Sequence, residues 1–444
     1  MAAVTRHDEA LVPLAEVQSL VLDRCSPLGA IEVGIDDALG CVLVDDLVID
    51  EEIPPFANSA MDGFALRSKD TAGAPVELEV LGTLGAGAST KFQVGAGQAV
   101  QIMTGAPIPE GADAVAIVER CEQVASPANG PGRRVRVLDE VGDGAHVRPA
   151  GSDMAAGSLA VAGGTVLGPA HLGLIASAGA DRVRVVPRPR VGVMSTGDEL
   201  VEVGAGPLGP GQIRDSNRHA LLANLRRDGF EPVDLGRILD DETAVATAID
   251  TALRSCDAVV TSGGVSKGDF DFVKLVLDRK VAAADPSTGA ESHLLSVAIR
   301  PAKPLALAFL PAAETTAGGD RNGRSQRLVP VFGLPGNPVS SLVSYQVIAL
   351  LGLRALAGRP GRQTPVRAIA GEDLTRNRGD GKLHLMRVRA SWTEDGRITV
   401  ASSGGQMSHQ LGSMAAANAL ALLADGDGVA AGGAVDVLLV GALE

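Results

Sequence analysis

The chain predicts a multidomain α/β protein: a central doubly wound, mostly parallel sheet domain, flanking β-rich modules and a C-terminal β domain. Three observations carry this. Residues 190–358 alternate β-branched runs with apolar-periodic stretches, the pattern of repeated β-α-β units. Residues from about 40 to 146, and again from 362, show short β-rich runs between Gly and Pro turns. The length, 444 residues, is too great for one ordinary domain.

In chain order, Leu14, Val17, Leu20 and Val21 give residues 10–24 a helical spacing. Val76–Leu81 and Arg134–Leu138 read as strands of a small all-β module, with a surface turn at Ser126–Gly132. A helical stretch near Ala170–Ser177 follows, and Pro187-Arg-Pro189 marks a boundary. Val191–Ser195 opens the α/β region. Asp215-Ser216 caps a helix that runs to Arg227 and stops at Asp228-Gly229. Asp240-Asp-Glu242 opens another, to Leu253. Pro232–Leu235, Ala258–Val260 and Leu328–Phe332 are strands, with a β-rich interruption before the last. Phe272–Leu277 begins a helix, and a long apolar helix ends near Leu353. Residues 311–327 read as a mobile insertion. Strands around Leu383–Arg389, Arg397–Ala401 and Val435–Val440 complete the chain. The implied division is a discontinuous linking domain of 1–45 and 147–187, a β-rich inserted domain of 46–146, an α/β domain of 188–361 and a C-terminal β domain of 362–444.

The net charge is −14 and no run of Lys or Arg offsets it, which argues against nucleic acid as a partner. Aromatic residues, 2% of the chain, are too few for base-stacking platforms. The four cysteines, Cys25, Cys41, Cys121 and Cys256, form no C-x-x-C pair, so neither disulfides nor a structural zinc site is expected. The first residues lack the basic and apolar regions of a signal peptide, and no apolar stretch approaches the roughly 20 residues of a membrane span. A cytoplasmic protein without membrane contact is the expectation.

Three strand-to-turn transitions hold polar groups: Ser195-Thr-Gly-Asp-Glu199, Thr261-Ser-Gly-Gly-Val-Ser-Lys-Gly-Asp269 and Gly333-Leu-Pro-Gly-Asn-Pro338. Ligands of open α/β sheets bind beyond the carboxyl ends of the strands, where three such turns can converge. The second turn is rich in glycine and leads to a helix, which makes it an anion site. Asp269 and Asp271 in the same segment would repel a bare phosphate. A cation bridging carboxylates and phosphate reconciles the two, with Glu199 and Asp271 as its candidate ligands. The bland alternative makes Asp198, Glu199 and Asp271 helix N-terminal residues that favour the macrodipole. Gly204-Ala-Gly-Pro-Leu-Gly209 matches a dinucleotide fingerprint in letters only, because Pro207 sits inside it and no helix follows. There is no P-loop, no H-E-x-x-H and no G-x-S-x-G elbow. In Arg300-Pro-Ala-Lys-Pro304 two cations flanked by prolines suit an oxyanion, the bland alternative being two solvated surface cations.

Taken in order, Asn58-Ser-Ala-Met-Asp-Gly, Met103-Thr-Gly-Ala-Pro-Ile-Pro-Glu-Gly-Ala-Asp, Ser195-Thr-Gly-Asp-Glu-Leu, Ile213-Arg-Asp-Ser-Asn, Thr261-Ser-Gly-Gly-Val-Ser, Arg300-Pro-Ala-Lys-Pro and Gly333-Leu-Pro-Gly-Asn-Pro-Val-Ser resemble the molybdopterin molybdenumtransferase family, of the bacterial MoeA and gephyrin E-domain type. The resemblance covers nearly the whole chain. It implies a cytoplasmic, elongated homodimer that inserts molybdate into adenylylated molybdopterin with release of AMP, using Mg2+. It makes residues 188–361 the molybdopterin-binding domain. It also implies that Asp62 and Thr104 reach the cleft of the partner subunit, and that Asp153, Glu199, Asp240 and Asp271 supply acid groups around phosphate and metal. Thr196, Ser262, Gly263, Gly264, Ser266, Lys267, Arg300, Pro335, Gly336 and Asn337 would hold the pterin and nucleotide phosphates. Lys303, Ser340, Arg387 and Ser408 would hold molybdate. The molybdopterin adenylyltransferase is a further partner. Four positions depart from the family pattern: Ser296 and Arg300 stand where lysines are common, Ala302 replaces a glycine, and Lys267 replaces a small apolar residue. Two rivals stand beside this reading, pterin adenylylation and a non-catalytic scaffold.

Overall fold

A computed structural model describes residues 4–89, 91–124, 132–265, 271–313, 327–376 and 379–443, with side chains from residue 10 onward. The chain forms two compact units. One comprises Met1–Val33, Ala38–Val44 and Arg184–Glu444; the other comprises Gly34–Asp37 and Asp45–Val183.

The larger unit contains a seven-stranded sheet of β1 (Val4–Val12), β2 (Arg190–Thr196), β3 (Glu231–Ile238), β4 (Ala258–Ser262), β5 (Glu291–Val297), β6 (Pro304–Pro311) and β7 (Leu328–Leu334). The strand order is β1-β5-β6-β7-β4-β2-β3. The β1–β5, β7–β4, β4–β2 and β2–β3 pairs are parallel. β6 runs antiparallel to both of its neighbours. The sheet is thus mixed, mostly parallel with one reversed strand. The reversal follows from the short connection between β5 and β6, which cannot hold the crossover that a parallel pair requires. β1 has no counterpart in the sequence reading, because its mixture of charged and apolar residues shows no clear alternation.

Helices cover both faces, as a doubly wound sheet requires. They are α1 (Leu14–Arg24), α2 (Asn217–Arg227), α3 (Glu242–Ser255), α4 (Phe272–Ala283) and α5 (Pro338–Leu356). α1, α2 and α5 bury Val21, Leu221 and Leu353 against Val193, Val260 and Phe332. α3 and α4 bury Ile249 and Val273 against Met194, Val259 and Val331. Neighbours such as Val259 and Val260 therefore go to opposite cores, which makes β4 apolar throughout rather than alternating. The start of α3 is fixed by Asp241, whose carboxylate accepts from the Ala244 N–H at 2.9 Å. α5 corrects one expectation. Its 19 residues are apolar enough to match a membrane span, but 89% of its apolar window is buried inside the protein, as a helix apolar on every side requires. A π turn at Tyr345–Ala349 interrupts it, and Gln18 Nε2 of α1 donates to the Val347 carbonyl there at 2.9 Å.

The C-terminal strands Val366–Ala370, Leu383–Trp392, Ile398–Ser402, Ala419–Leu423 and Ala434–Leu439 close on one another through the pairing of Leu383–Trp392 with Ala419–Leu423, giving a small barrel filled by Val388, Val400, Leu423 and Val437. Ile299–Arg300, just after β5, pairs in parallel with Leu383 and His384 and ties the barrel to the sheet. In the other unit, a six-stranded sheet in the order Cys121–Val124, Arg133–Val137, Val76–Leu84, Gln98–Ile102, Gly63–Leu66, Ala114–Ile117 buries apolar side chains on both faces. Pro169–Ser177 is its helix. Most of the turn read at Ser126–Gly132 and of the insertion read at 311–327 lies outside the described residues.

Candidate active site

β2, β4 and β7 are adjacent and parallel, so their carboxyl ends lie on one edge and bring the three polar turns together. The packing explains the glycines. The Gly263 N–H donates to the Leu334 carbonyl at 3.1 Å. A Cβ on Gly263 would sit 2.4 Å from the Thr196 carbonyl oxygen, and its φ is +99°. Gly264, with φ +66°, lies so close to Thr196 that a Cβ would be 3.1 Å from its hydroxyl. Only glycine fits both. The Thr196 hydroxyl is buried and has no hydrogen-bond partner among the described residues. An orphaned buried donor beside a glycine turn is a group that a ligand oxygen satisfies. Ser266 and Lys267 lie outside the described residues.

Carboxylates line the same edge. Asp198 and Glu199 follow β2, Asp240 follows β3, and Asp271 is the N-cap of α4. The macrodipole alternative holds for Asp271 alone, because β2 leads into a turn and the short strand Leu200–Val201, not a helix. Asp240 is raised above the usual carboxylate range, by burial first and then by the charges of Asp198, Glu199 and Asp271. Among the described residues no three His, Cys, Asp or Glu side chains are close enough to hold a metal by themselves. This donor set suits a cation that takes one or two carboxylates and completes its shell with substrate phosphates and water, the habit of Mg2+.

Behind this edge stands an ionic network around the buried Asp215–Arg218 pair. Ser195 Oγ donates to Asp215 Oδ2 at 2.5 Å. Arg218 donates from Nε to Asp215 at 2.8 Å, from Nη1 to Asp234 at 2.6 Å and from Nη2 to Glu202 at 2.6 Å. The Asp215 carboxylate also accepts the Arg218 N–H, and so caps α2 from the position before its N-cap residue Ser216.

The oxyanion candidates gather at the seam between sheet and barrel. β5 runs parallel to β7, so the Arg300–Lys303 turn after β5 lies on the same carboxyl edge. Lys303 is exposed there. Ala302 has φ +81°, a left-handed backbone that costs an L residue about 1–2 kcal/mol. Glycine there would avoid that cost but lose roughly 0.5–1 kcal/mol to its freer unfolded chain. The Ala302 methyl is also buried, which takes back about 0.8 kcal/mol, so Ala302→Gly is expected to change stability by less than about 1 kcal/mol, seen as a urea midpoint close to wild type with an unchanged slope. Arg387, on a barrel strand, is 1% exposed. Its Nη2 donates to the carbonyls of Gly405 at 2.8 Å and Met407 at 3.2 Å. The Ser408 carbonyl accepts the Val339 N–H at 3.1 Å, next to Ser340 at the start of α5. The 404–408 loop thereby brings Arg387, Ser340 and Ser408 together. Arg387 has no carboxylate partner among the described residues, and burial pushes its pKa down to about 10. Beside it a cavity of about 240 Å³ is lined by Arg300, Arg376, His384, Arg387, Gln406 and Met407.

In the smaller unit Asp62 Oδ1 accepts from the Thr104 N–H at 2.7 Å and from its hydroxyl at 2.8 Å, and these bonds lower the Asp62 pKa. Asp153 is exposed, with its N–H donating to the Ile53 carbonyl. Pro335 is buried, while Gly336 and Asn337 are exposed at the mouth of the third turn. Sequence reasoning missed Asn217, Arg218 and Arg376 as site residues. Only the first two had a signal, their place at or beside the Ile213-Arg-Asp-Ser-Asn motif.

Comparison with known proteins follows the same lines. Residues 12–179 match the family description MoeA N-terminal region (domain I and II), 192–355 the probable molybdopterin binding domain, and 357–440 the MoeA C-terminal region (domain IV). A molybdopterin molybdenumtransferase of a Nostoc species is 35% identical over 85% of this chain and 80% of its own length. Molybdopterin molybdenumtransferase 2 of Mycobacterium tuberculosis is 35% identical over 91% of this chain and 93% of its own. The crystal structure of a molybdopterin biosynthesis MoeA protein from Pyrococcus horikoshii superposes with a TM-score of 0.70 at 29% identity, covering 98% of this chain and 100% of that one. With ordered motifs, fold and 35% identity over nearly the full length in agreement, the chain belongs to the MoeA family of molybdopterin molybdenumtransferases.

Proposed function

We propose that this protein performs the metal insertion step of molybdenum cofactor synthesis: it binds adenylylated molybdopterin and molybdate, inserts the metal and releases AMP, with Mg2+, as a cytoplasmic homodimer. The observation that carries the reading is Arg387. A fully buried guanidinium that faces carbonyls and, among the described residues, no carboxylate is a charge awaiting an anion. Molybdate, a tetrahedral dianion, supplies one, with Lys303, Ser340 and Ser408 as its further donors. The relatives' name, molybdopterin molybdenumtransferase, supports the same substrates here.

The remaining residues divide by chemistry. Cleaving a phosphoanhydride asks the protein mainly for positioning and charge stabilisation. The backbone N–H groups of Gly264, Gly336 and Asn337, with the Thr196 and Ser262 hydroxyls, would hold the phosphates. Glu199 and Asp271 would hold the magnesium ion, with Asp240 beside them; when bound, the ion neutralises phosphate charge. Asp62 and Thr104 of a second copy would complete the cleft, with Asp62 held as a carboxylate by its two bonds. Asp153 is the remaining acid group.

The test is AMP release from adenylylated molybdopterin. Release should require both molybdate and magnesium, cease on chelation, and fall by at least about 100-fold in Asp271→Ala. Ligand binding without release in the wild type would sink the transferase reading and leave a binding protein.

A further inference from the structure

The three turns need a common anchor, and one side chain reaches two of them. Asn217 is the first residue of α2. Its Nδ2 donates to Ser262 Oγ at 2.8 Å and to the Gly336 carbonyl at 2.7 Å. An amide nitrogen has two N–H groups, and both are used. The orientation is fixed by chemistry, because the Gly336 carbonyl can only accept. Ser262 Oγ in turn lies 3.4 Å from the Pro335 carbonyl and from Ser341 Oγ of α5. Strand pairing and the Gly263 N–H bond to the Leu334 carbonyl fix the bases of the two turns, and one carboxamide ties the turn after β4 to the far end of the Pro335–Asn337 turn after β7. On the far side the glycine turn leans on Thr196, where no side chain fits. Asn217 is itself braced, since the neighbouring Arg218 is locked to Asp215.

We propose that Asn217 is the positioning residue of the pterin-phosphate cradle, holding its two turns at the spacing the substrate phosphates need. The proposal rests on the transferase reading above and deepens it. Asn217 touches turns, not reacting atoms, so its effect should fall on pterin affinity and not on molybdate, which is held at the barrel seam.

Asn217→Asp is the sharp test. The shape is nearly kept, and a carboxylate at the first turn of α2 favours the helix dipole, so folding is preserved. The Gly336 carbonyl, however, would then face an acceptor. Asn217→Ala removes the donors without adding repulsion. Equilibrium dialysis with purified molybdopterin should show the dissociation constant rising about tenfold in Asn217→Asp, with Asn217→Ala in between. The KM for molybdate and the urea midpoint should stay within about twofold and within error of wild type. Wild-type molybdopterin affinity in Asn217→Asp, or an equal loss for both ligands with a lowered urea midpoint, overturns the proposal in favour of a bystander or a general structural role. Failure of the wild-type protein to bind molybdopterin overturns the transferase reading instead, and the proposal with it.

Discussion

Arg218→Met is expected to cost about 3–5 kcal/mol of folding stability, among the largest losses from a single substitution in this chain. The reason is not the worth of the three ion pairs but what remains after them. Asp215 is 1% exposed, and without the guanidinium its carboxylate keeps only the Ser195 hydroxyl and a backbone N–H. Asp234 and Glu202 are half-exposed and return to water cheaply. Burial works against the arginine's charge, but its hydrogen bonds to the Asp215 and Asp234 carboxylates outweigh it and raise the pKa. The guanidinium is thus charged at every pH of interest. Urea denaturation should show the loss in Arg218→Met. The double variant Asp215→Asn with Arg218→Met should recover all but about 1–2 kcal/mol, because the stranded charge is gone. A single variant within about 1 kcal/mol of wild type would show that water reaches Asp215 and that the network is decorative.

That network also marks the limit of what a sequence can show. Local devices were readable. Asp241 announces α3 by capping it, the apolar spacing of Val245, Ile249 and Ala252 announces its buried face, and the glycine pair after β4 announces a close backbone approach. Pairings between distant segments were not readable. Arg218 finds Asp234 across a helix and a turn, Asn217 finds Gly336 across 119 residues, and Leu383–Trp392 closes the barrel by pairing with Ala419–Leu423. None of these leaves a periodic trace, because each depends on tertiary placement rather than local pattern. The reversed direction of β6 was hidden for the same reason: strand texture gives no sense of direction. Among the site residues, the turns could be named from strand-turn-helix punctuation. Arg387, Ser340 and Ser408 entered only through the family resemblance, and it is the 404–408 loop that joins them in space.

Arg387→Met should reverse the pattern of Arg218→Met, with function lost and stability kept. Both arginines are buried, but Arg218 meets three carboxylates and Arg387 meets none among the described residues. A buried cation without a counterion is a net expense to the fold, and the fall of its pKa to about 10 records that expense. The folded state disfavours the proton on Arg387, so the group destabilises the fold throughout the range below that pKa and the penalty fades only as pH rises through it. Methionine of similar length removes the penalty and forfeits two hydrogen bonds to the carbonyls of Gly405 and Met407, which lie in an exposed loop. The two effects offset, and stability should change by less than about 1 kcal/mol. On the proposed function, molybdate binding would lose a charge-assisted donor in a desolvated pocket, and kcat/KM for molybdate should fall about 100-fold. Arg387→Lys should restore little: Nη2 alone serves both carbonyls and leaves Nε, unpartnered among the described residues, for an anion, whereas lysine's single nitrogen would have to serve the carbonyls and the anion from one point. A thermal-shift titration decides the matter without turnover. Saturating molybdate at about 100 times its dissociation constant should stabilise the wild type by about 2.7 kcal/mol and leave Arg387→Met unmoved. An equal shift in both proteins would place the oxyanion elsewhere, and Arg387 would then be a buried charge with no account.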